Sequence, residues 1–539
     1  MKKILTIFLT LFILFPVVSE PQKIYSLNRY RELYRVLELL QTEAGISQLS
    51  YSYPFTGKEI EGILSRIDYN TLSNNSQILY QEIINQLEID ISGSGFRGNV
   101  DGSINAETYL QTNKENDEWI YDYNSRKPVI ELDLSAGITN YFWADVALPL
   151  QKGLDFNRYT TGAETNISLL WNLDQIDAQF PFTAISSLGG DHWNIQFGRD
   201  ILNYGVGRSG AFVISDDGSF HDYLKASTFW NNFKYTMTFV NIDPIDVDGL
   251  DPYVEYISVE DVDGNPVTVE TKESRKKLKI FIDHTFEFKP HPKLSIAINE
   301  VTVRGGGEVT LGYLNPLMIM HNLALTDRRY TILGNSLFTF STIVTPLKNF
   351  LVYGEFALDQ FETPSESDRI GEEGTGDPNA YGWLAGLTYK GFNIEYIYTN
   401  PHLYRSTNSW SIYALTRWYH SVYNDSNDIE IEPLGFKYGP DISLLKISSD
   451  MLFFNNKLKV YGEYMYILQG EKRVYDYADS GKEAFEMETP TGSVFSRSII
   501  TLQAAYNLYD YLSIYGQING LFYTDITDFQ FIIGASYNF

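Results

Sequence analysis

The chain has 539 residues (61.7 kDa), 41 Lys and Arg against 68 Asp and Glu for a formal charge of −27, and no cysteine. The acidic balance excludes unassisted nucleic-acid binding, which needs a basic face, and the absent cysteines exclude disulfides, thiolate metal sites and cysteine nucleophiles. An aromatic content of 15%, led by 40 Tyr and 33 Phe, with a mean hydropathy of −0.21, is too polar for a helical membrane protein and points to a transmembrane β-barrel.

Residues 1–19 read as an export signal. Lys2 and Lys3 form the basic end, Ile4 to Val18 the apolar run, and Val17-Val18-Ser19 a small-residue cleavage site. The run is shorter than the roughly 20 residues a membrane-spanning helix needs. Loss of the two lysines takes the charge from −27 to −29. The chain is expected to leave the cytoplasm.

Residues 20–92 carry helical periodicity. Tyr30, Leu33, Tyr34, Leu37 and Leu40 share one face of an amphipathic helix. Thr56-Gly57-Lys58-Glu59 is a capping box opening a second helix, and a third begins near Ser76. We expect a periplasmic helical cap or docking module here, with a plain spacer as the alternative.

From residue 93 to 539 the period changes to two. Phe233, Tyr235, Met237 and Phe239 alternate with Lys234, Thr236 and Thr238; Phe350, Val352, Gly354 and Phe356 alternate with Leu351, Tyr353 and Glu355. Strands of about ten residues with aromatic ends match a tilted bilayer crossing. Tight turns are predicted near Gly137–Asn140, Asp174–Ile176, Trp230–Asn232, Lys289–Pro292, Pro346–Lys348, Lys390–Gly391, Asn455–Asn456 and Leu508–Asp510. With both chain ends in the periplasm, eight such turns give an antiparallel barrel of about 18 strands. The ambiguous stretch 187–230 leaves 16 and 20 open. Phe529, Phe531, Ile533, Ala535, Tyr537 and the terminal Phe539 share one face of the last strand. A terminal Phe on such a strand resembles the signal read by barrel assembly machinery, so the expected location is the outer membrane of a diderm bacterium, in contact with its lipid.

No catalytic chemistry is legible. None of His192, His221, His284, His291, His321, His402 and His420 sits in a nucleophile or zinc motif. Tyr204-Gly205-Val206-Gly207-Arg208-Ser209-Gly210 is formally GxGxxG, but the β-like Ala211-Phe212-Val213-Ile214 follows instead of the helix a dinucleotide site requires. Its glycines fit a segment turning tightly inside the barrel. Three connections, 243–277, 357–381 and 469–493, are acidic; Asp246-Val247-Asp248-Gly249 invites a calcium reading but lacks the alternation and terminal Glu of a calcium-binding hand. Solvated loops are the plainer account. No cofactor and no metal is assigned.

Several segments together resemble the Wzi-type capsule assembly family of outer-membrane barrels. They are Phe197-Gly198-Arg199-Asp200, Tyr204-Gly205-Val206-Gly207, Ala211-Phe212-Val213-Ile214-Ser215-Asp216, Tyr313-Leu314-Asn315-Pro316, and Tyr353-Gly354-Glu355-Phe356 with Asp359-Gln360-Phe361. Tyr204 stands where that family commonly has Trp, Val206 where it has Pro, and Asp217-Gly218 where it has Asn-Ala. The resemblance implies a non-enzymatic barrel that binds or helps assemble a surface polysaccharide. It further implies a lumen plugged around residues 200–222 by Arg199, Asp200, Tyr204, Gly205, Gly207, Arg208, Gly210, Ser215 and Asp216. Asn315, Pro316, Asp359 and Phe361 are its other motif positions. Trp410, Tyr413, Trp418 and Tyr419 are candidate glycan-stacking faces, with an outer aromatic girdle as the alternative. A general diffusion porin and an adhesin remain as other readings, since inward Lys234, Glu355, Lys459 and Glu463 fit any wet interior.

Overall fold

The structure, a computed structural model, describes residues 23–48, 51–91, 96–116, 118–122, 125–138, 142–151, 164–167, 183–218, 220–243, 255–260, 266–271, 278–305, 311–320, 334–361, 378–407, 409–421, 426–479, 482–524 and 526–539. Eighteen antiparallel strands close into a barrel. They are β1 (Phe96–Gln111), β2 (Ile130–Ile138), β3 (Phe142–Leu150), β4 (Thr183–Gly190), β5 (Trp193–Asp200), β6 (His221–Phe229), β7 (Phe233–Ile242), β8 (Lys279–His291), β9 (Leu294–Gly305), β10 (Gly334–Leu347), β11 (Phe350–Gln360), β12 (Ala380–Tyr389), β13 (Phe392–Thr399), β14 (Ile442–Phe453), β15 (Leu458–Gln469), β16 (Phe495–Tyr509), β17 (Leu512–Tyr523) and β18 (Thr527–Asn538). Each pairs with its neighbour, and β18 closes on β1 from Gln530↔Gln111 to Asn538↔Ser103. The terminal Phe539 extends that seam, exchanging backbone hydrogen bonds with Gly102.

The strand number expected from turn counting is the number observed, by a different route. Six of the eight tight connections stand where the sequence places them; at Gly137–Asn140 the flanking strands pair as far as Ile138↔Phe142, and residues 139–140 lie outside the described residues. The eighth, Asp174–Ile176, lies outside the described residues. In its place Gly190-Asp191-His192 turns the chain from β4 to β5, which resolves the ambiguous stretch 187–230 into two strands, a long inward excursion and a third strand. The turns carry the expected chemistry. Lys390 and Gly391 join β12 to β13 with φ of 48° and 85°, the pair of positive values that matches a hairpin to the twist of its strands.

Alternation separates two environments. Outward positions are apolar, with Ile104, Leu134, Ile394, Leu502, Ile518 and Ile533 exposed in a belt. At the turn-bearing end this belt is bounded by Phe142, Trp230, Tyr389, Phe392, Tyr509 and Phe539. An apolar band with an aromatic girdle on a closed barrel is a surface for lipid, not for water. Among the described residues no helix is long and apolar enough to cross a membrane; the strands make the crossing.

Before the barrel come α1 (Arg31–Ala44), α2 (Gly57–Leu64) and α3 (Asn74–Ile91). The capping box at α2 is formed in full: Glu59 N donates to Thr56 Oγ1 at 3.2 Å, and Thr56 N to Glu59 Oε2 at 2.8 Å. The helices share a core of Leu33, Leu37, Leu40, Ile60, Ile63 and Leu87. This unit sits on the turn-bearing end of the barrel. Arg35 pairs with Asp450 at 3.0 Å, Lys459 with Glu32 at 2.7 Å, and Ser47 N donates to Pro292 O at 2.9 Å.

Candidate functional site

An 18-stranded barrel is wide enough to hold an aqueous channel, so what occupies its interior decides what it can do. Three pieces of chain enter it. Residues 51–56, between α1 and α2, rise from the helical unit. Residues 201–220 leave the wall between β5 and β6 and fold inward. Residues 403–416 and 434–438 enter from the β13–β14 connection. They join one another: Asn203–Tyr204 pairs with Ser52–Tyr53, and Tyr204 bridges to Ile214. Tyr404 Oη donates to Phe212 O at 2.9 Å, Tyr413 Oη to Val213 O at 2.5 Å, and Ser215 N to Leu434 O at 2.8 Å. Tyr51, Leu202, Tyr204, Val206, Phe212, Tyr404, Tyr413 and Phe436 form one buried cluster with the inward faces of β7–β14.

Chain inside a barrel has backbone amides and carbonyls outside any ladder, and each needs a partner. The wall supplies them by charge. Carboxylates take the amides: Glu355 accepts from Val206 N at 2.9 Å and Phe212 N at 3.2 Å. Glu395 accepts from Arg208 N at 2.7 Å and Ser209 N at 2.9 Å, and Glu287 from Tyr51 N at 3.3 Å and Ser52 Oγ at 2.7 Å. Lysines take the carbonyls: Lys225 donates to Ser52 O and Pro54 O at 3.0 and 2.9 Å. Lys279 reaches Ile412 O and Ala414 O at 2.8 and 2.6 Å, Lys289 Ser47 O at 2.7 Å, and Lys446 Arg208 O at 3.1 Å. Lys234, buried, pairs with Glu59 at 2.5 Å. Glu107 does the same for the β1–β2 connection, accepting from Tyr109 Oη, Tyr121 Oη, Tyr515 Oη and Lys127 N at 2.5–3.0 Å. Inward Lys234 and Glu355 therefore bind chain rather than line open water, which corrects the expectation of a merely wet interior.

The sequence-derived candidates separate by position. Gly205 and Gly207 make the tight inward turn; a side chain at Gly205 (φ 153°) would meet Ala211 Cβ at 2.5 Å and Glu355 Oε2 at 2.7 Å. Tyr204 is buried with its hydroxyl 2.7 Å from Thr238 Oγ1. Arg208 pairs with Glu38 of α1, and Asp216 with Arg31. Burial opposes the charge on Arg208, but Glu38 and its neighbours outweigh this and raise its pKa. Tyr53, on the facing segment, is pushed up to about 12 by burial and stays neutral. Gly210 and Ser215 lie on the same excursion, Ser215 Oγ donating to Asp217 Oδ2 at 2.6 Å. Asp200 closes β5, accepting from Ser26 Oγ at 2.7 Å. Arg199 is a correction: strand parity turns it outward, opposite to Asp200, where it forms a two-point pair with Asp222 at 2.7 and 2.8 Å.

Tyr413 is a second correction. It is 1% exposed and stacks on Tyr404 at 5.0 Å inside the lumen, so it has neither a free glycan-stacking face nor a place in an outer girdle. Trp410 packs over Gly305. Trp418 and Tyr419 lie in the strand Ala414–Ser421, with side chains outside the described residues. Asp359 Oδ2 accepts from Tyr404 N at 2.8 Å, at the joint between wall and infolded chain, and Phe361 beside it is exposed. Asn315 and Pro316 lie on the β9–β10 connection, away from the lumen.

At the end with the long connections a different aromatic group is half-exposed. Phe495 of β16, Tyr523 of β17 and Tyr438 lie on the inner rim. Phe495 meets Tyr523 edge-on at 5.5 Å, and the Arg497 guanidinium lies 5.1 Å from the Tyr438 ring and 5.4 Å from that of Phe495. Glu118 accepts from Tyr523 Oη at 2.6 Å and faces Arg497 at 3.6 Å. Apolar ring faces beside fixed donors and acceptors are what a sugar needs. The sequence signal was present, since both strand ends are aromatic, but a strand end does not say which way its ring faces. A cavity of about 1780 Å³ also remains beside the filling, lined by Arg29, Asp101, Arg126, Glu131, Lys459 and Phe539 among others. Among the described residues no cluster of side chains is arranged to hold a metal ion.

No family model matches the chain, and no curated protein does. Solved structures do. The chain is similar, with a TM-score of 0.56 and 12% identity over 94% of its length and 97% of the other chain, to Wzi of Escherichia coli. That is an outer-membrane protein involved in group 1 capsule assembly and a carbohydrate-binding β-barrel. Weaker likenesses reach OccK5 (OpdH) of Pseudomonas aeruginosa, at 9% identity and TM-score 0.39 over 82% of this chain and 98% of that one. A loop-deletion variant of OmpT, an outer-membrane protein of Vibrio cholerae, follows at 10% identity and 0.33, over 83% and 100%. The architecture built above, 18 strands behind a helical unit, is thus shared along almost its whole length with the capsule-assembly barrel.

Proposed function

We propose that this protein is a non-enzymatic outer-membrane barrel of a diderm bacterium that binds, or helps assemble, a surface polysaccharide, with its helical unit in the periplasm. The observation that carries the reading is the filled lumen, in which wall lysines and carboxylates engage the backbone of three infolded segments. A barrel built in this way presents a fixed surface at its mouth instead of a passage. The sugar-binding surface in this reading is the rim group of Tyr438, Phe495, Arg497, Tyr523 and Glu118. Fold similarity to a carbohydrate-binding barrel supports a polysaccharide as the ligand class.

The test is binding of the detergent-purified protein to an array of bacterial surface polysaccharides. Phe495→Ala with Tyr523→Ala is expected to weaken the best hit at least about tenfold, the scale of one lost stacking face and its hydrogen bond, with heat-modifiable gel migration unchanged. Undiminished binding by the double variant removes the rim from the proposal. A diffusion porin is the second reading, favoured by the residual cavity beside the filling.

Phe539 is, on this proposal, the residue read by the assembly machinery. In the folded barrel it exchanges two backbone hydrogen bonds with Gly102 and is 52% exposed. Its deletion is expected to lower the yield of folded barrel in membranes while leaving refolding in detergent intact; equal loss in both would mean that Phe539 serves only the seam.

A further inference from the structure

The outer wall carries a polar row where lipid contact would be costly. Strand alternation puts Tyr235 of β7, His284 of β8, and Glu300 and Arg304 of β9 on outward positions. Register aligns Met237, His284, Glu300 and Phe338 side by side, and Phe338 is exposed in the apolar belt. Ionisable groups on a lipid face are destabilising unless they are covered or paired.

The chain covers His284 and Arg304. Residues 311–320, which follow β9, fold back over the outside of the wall. Tyr313 O accepts from His284 Nε2 at 2.8 Å, and Tyr235 Oη donates to His284 Nδ1 at 2.6 Å. Arg304 Nη1 donates to Tyr313 Oη at 2.7 Å. Ile282, an outward position, is fully buried with Tyr313 and Met320 against it and Phe239 and Ile280 alongside. The far side of this strap is apolar: Leu314, Met318 and Ile319 are exposed, and Leu317 is 87% exposed. Part of its backbone is bonded within the strap: Asn315 N donates to Gly312 O at 3.2 Å, Met318 N to Asn315 O at 3.0 Å, and Leu317 N to Asn315 Oδ1 at 3.1 Å.

We propose that residues 311–320 form an interfacial strap that roofs the polar row and sets Leu314, Leu317, Met318 and Ile319 among the acyl chains of the leaflet nearest the long connections. Lipid is the occupant because the strap rests on the outer wall at His284 and Arg304, one strand from the exposed Phe338 and Phe340 of the apolar belt. The level also fits: Arg304 stands next to the last residue of β9, and His284 five residues inside β8, so the strap lies near the membrane surface. The inference needs the barrel to sit in a bilayer and does not depend on glycan binding.

With no cysteine in the chain, Leu317→Cys and Ile319→Cys each accept a single nitroxide label. In phosphatidylcholine vesicles these labels are expected to be relaxed several-fold more by oxygen than by a water-soluble nickel chelate. Tyr475→Cys, on an exposed connection, gives the reverse. A Leu317 label as open to the chelate as the Tyr475 label overturns the proposal. Dipolar coupling between labels of two copies, with low oxygen access, also overturns it by putting a second copy on the strap. If a labelled variant fails to reach the heat-modifiable folded form, Met318→Cys carries the same readout.

Discussion

Removing residues 23–91 and shortening 202–219 to a glycine-serine link is expected to raise single-channel conductance in planar bilayers at least about tenfold, because an 18-stranded barrel is wide enough for an aqueous channel and only the insertion from the β13–β14 connection then remains inside it. Both changes are needed, because the two pieces support each other. Asn203–Tyr204 pairs with Ser52–Tyr53, Gly205 N donates to Tyr51 O at 3.3 Å, and Arg31 and Glu38 of α1 hold Asp216 and Arg208. Each single deletion removes one partner of every such contact and exposes the other to water. We expect intermediate, flickering conductance from either single variant and a steady, large step from the double. The intact protein is the reference. If it already conducts as well as the double variant, the infolded chain does not obstruct the pore, and the porin reading takes over. The variants remove no barrel strand, so heat-modifiable migration separates loss of the filling from loss of the fold.

Period-two alternation, aromatic strand ends and turn residues are local signals, and they carry the class of fold and a count of about 18 strands, but not the turn at Gly190–His192. The capping box at Thr56 and Glu59 was equally local. Position inside the barrel is not local. Glu355 meets Val206 and Phe212 across 149 and 143 residues, and Glu395 meets Arg208 across 187. No periodicity reports a partner at that distance. The inward charges were legible as inward, but their partners were not, and so they read as solvated. Arg199 was misplaced because a motif names a segment, whereas strand parity decides the face; β5 runs through Asp200, one residue beyond it. Tyr413 was misplaced because an aromatic in a long connection suits a mouth, a girdle or a buried filling equally well until the path of the connection is known. The strap at 311–320 was visible only as an Asn-Pro motif, since its role depends on His284 and Arg304, which belong to two other strands.

Glu355→Ala combined with Glu395→Ala is expected to free the 201–220 segment without unfolding the barrel. Between them the two carboxylates accept four backbone amides, of Val206, Arg208, Ser209 and Phe212, at 2.7–3.2 Å. Alanine leaves all four without these acceptors in a buried site, at about 1–3 kcal/mol for each group left unsatisfied. Relief from burying two carboxylates offsets part of that cost. The remainder falls on the excursion alone, because Glu355 and Glu395 lie within β11 and β13, whose ladders to their neighbours are backbone-to-backbone and stay formed. The readout is trypsin cleavage after Arg208, a residue whose backbone amide and carbonyl are held by Glu395 and Lys446 in the intact protein. Cleavage is expected to be fast in the double variant and slow in the parent, with strand amides equally protected from hydrogen exchange in both. Glu355→Gln retains one acceptor oxygen and is expected to fall between. If the double variant resists trypsin as the parent does, apolar packing of Phe212 and Tyr204 holds the segment unaided, and the wall carboxylates do not pin it. If the strands lose protection together with the segment, filling and wall fold as one unit, and the infolded chain is part of what keeps this barrel closed.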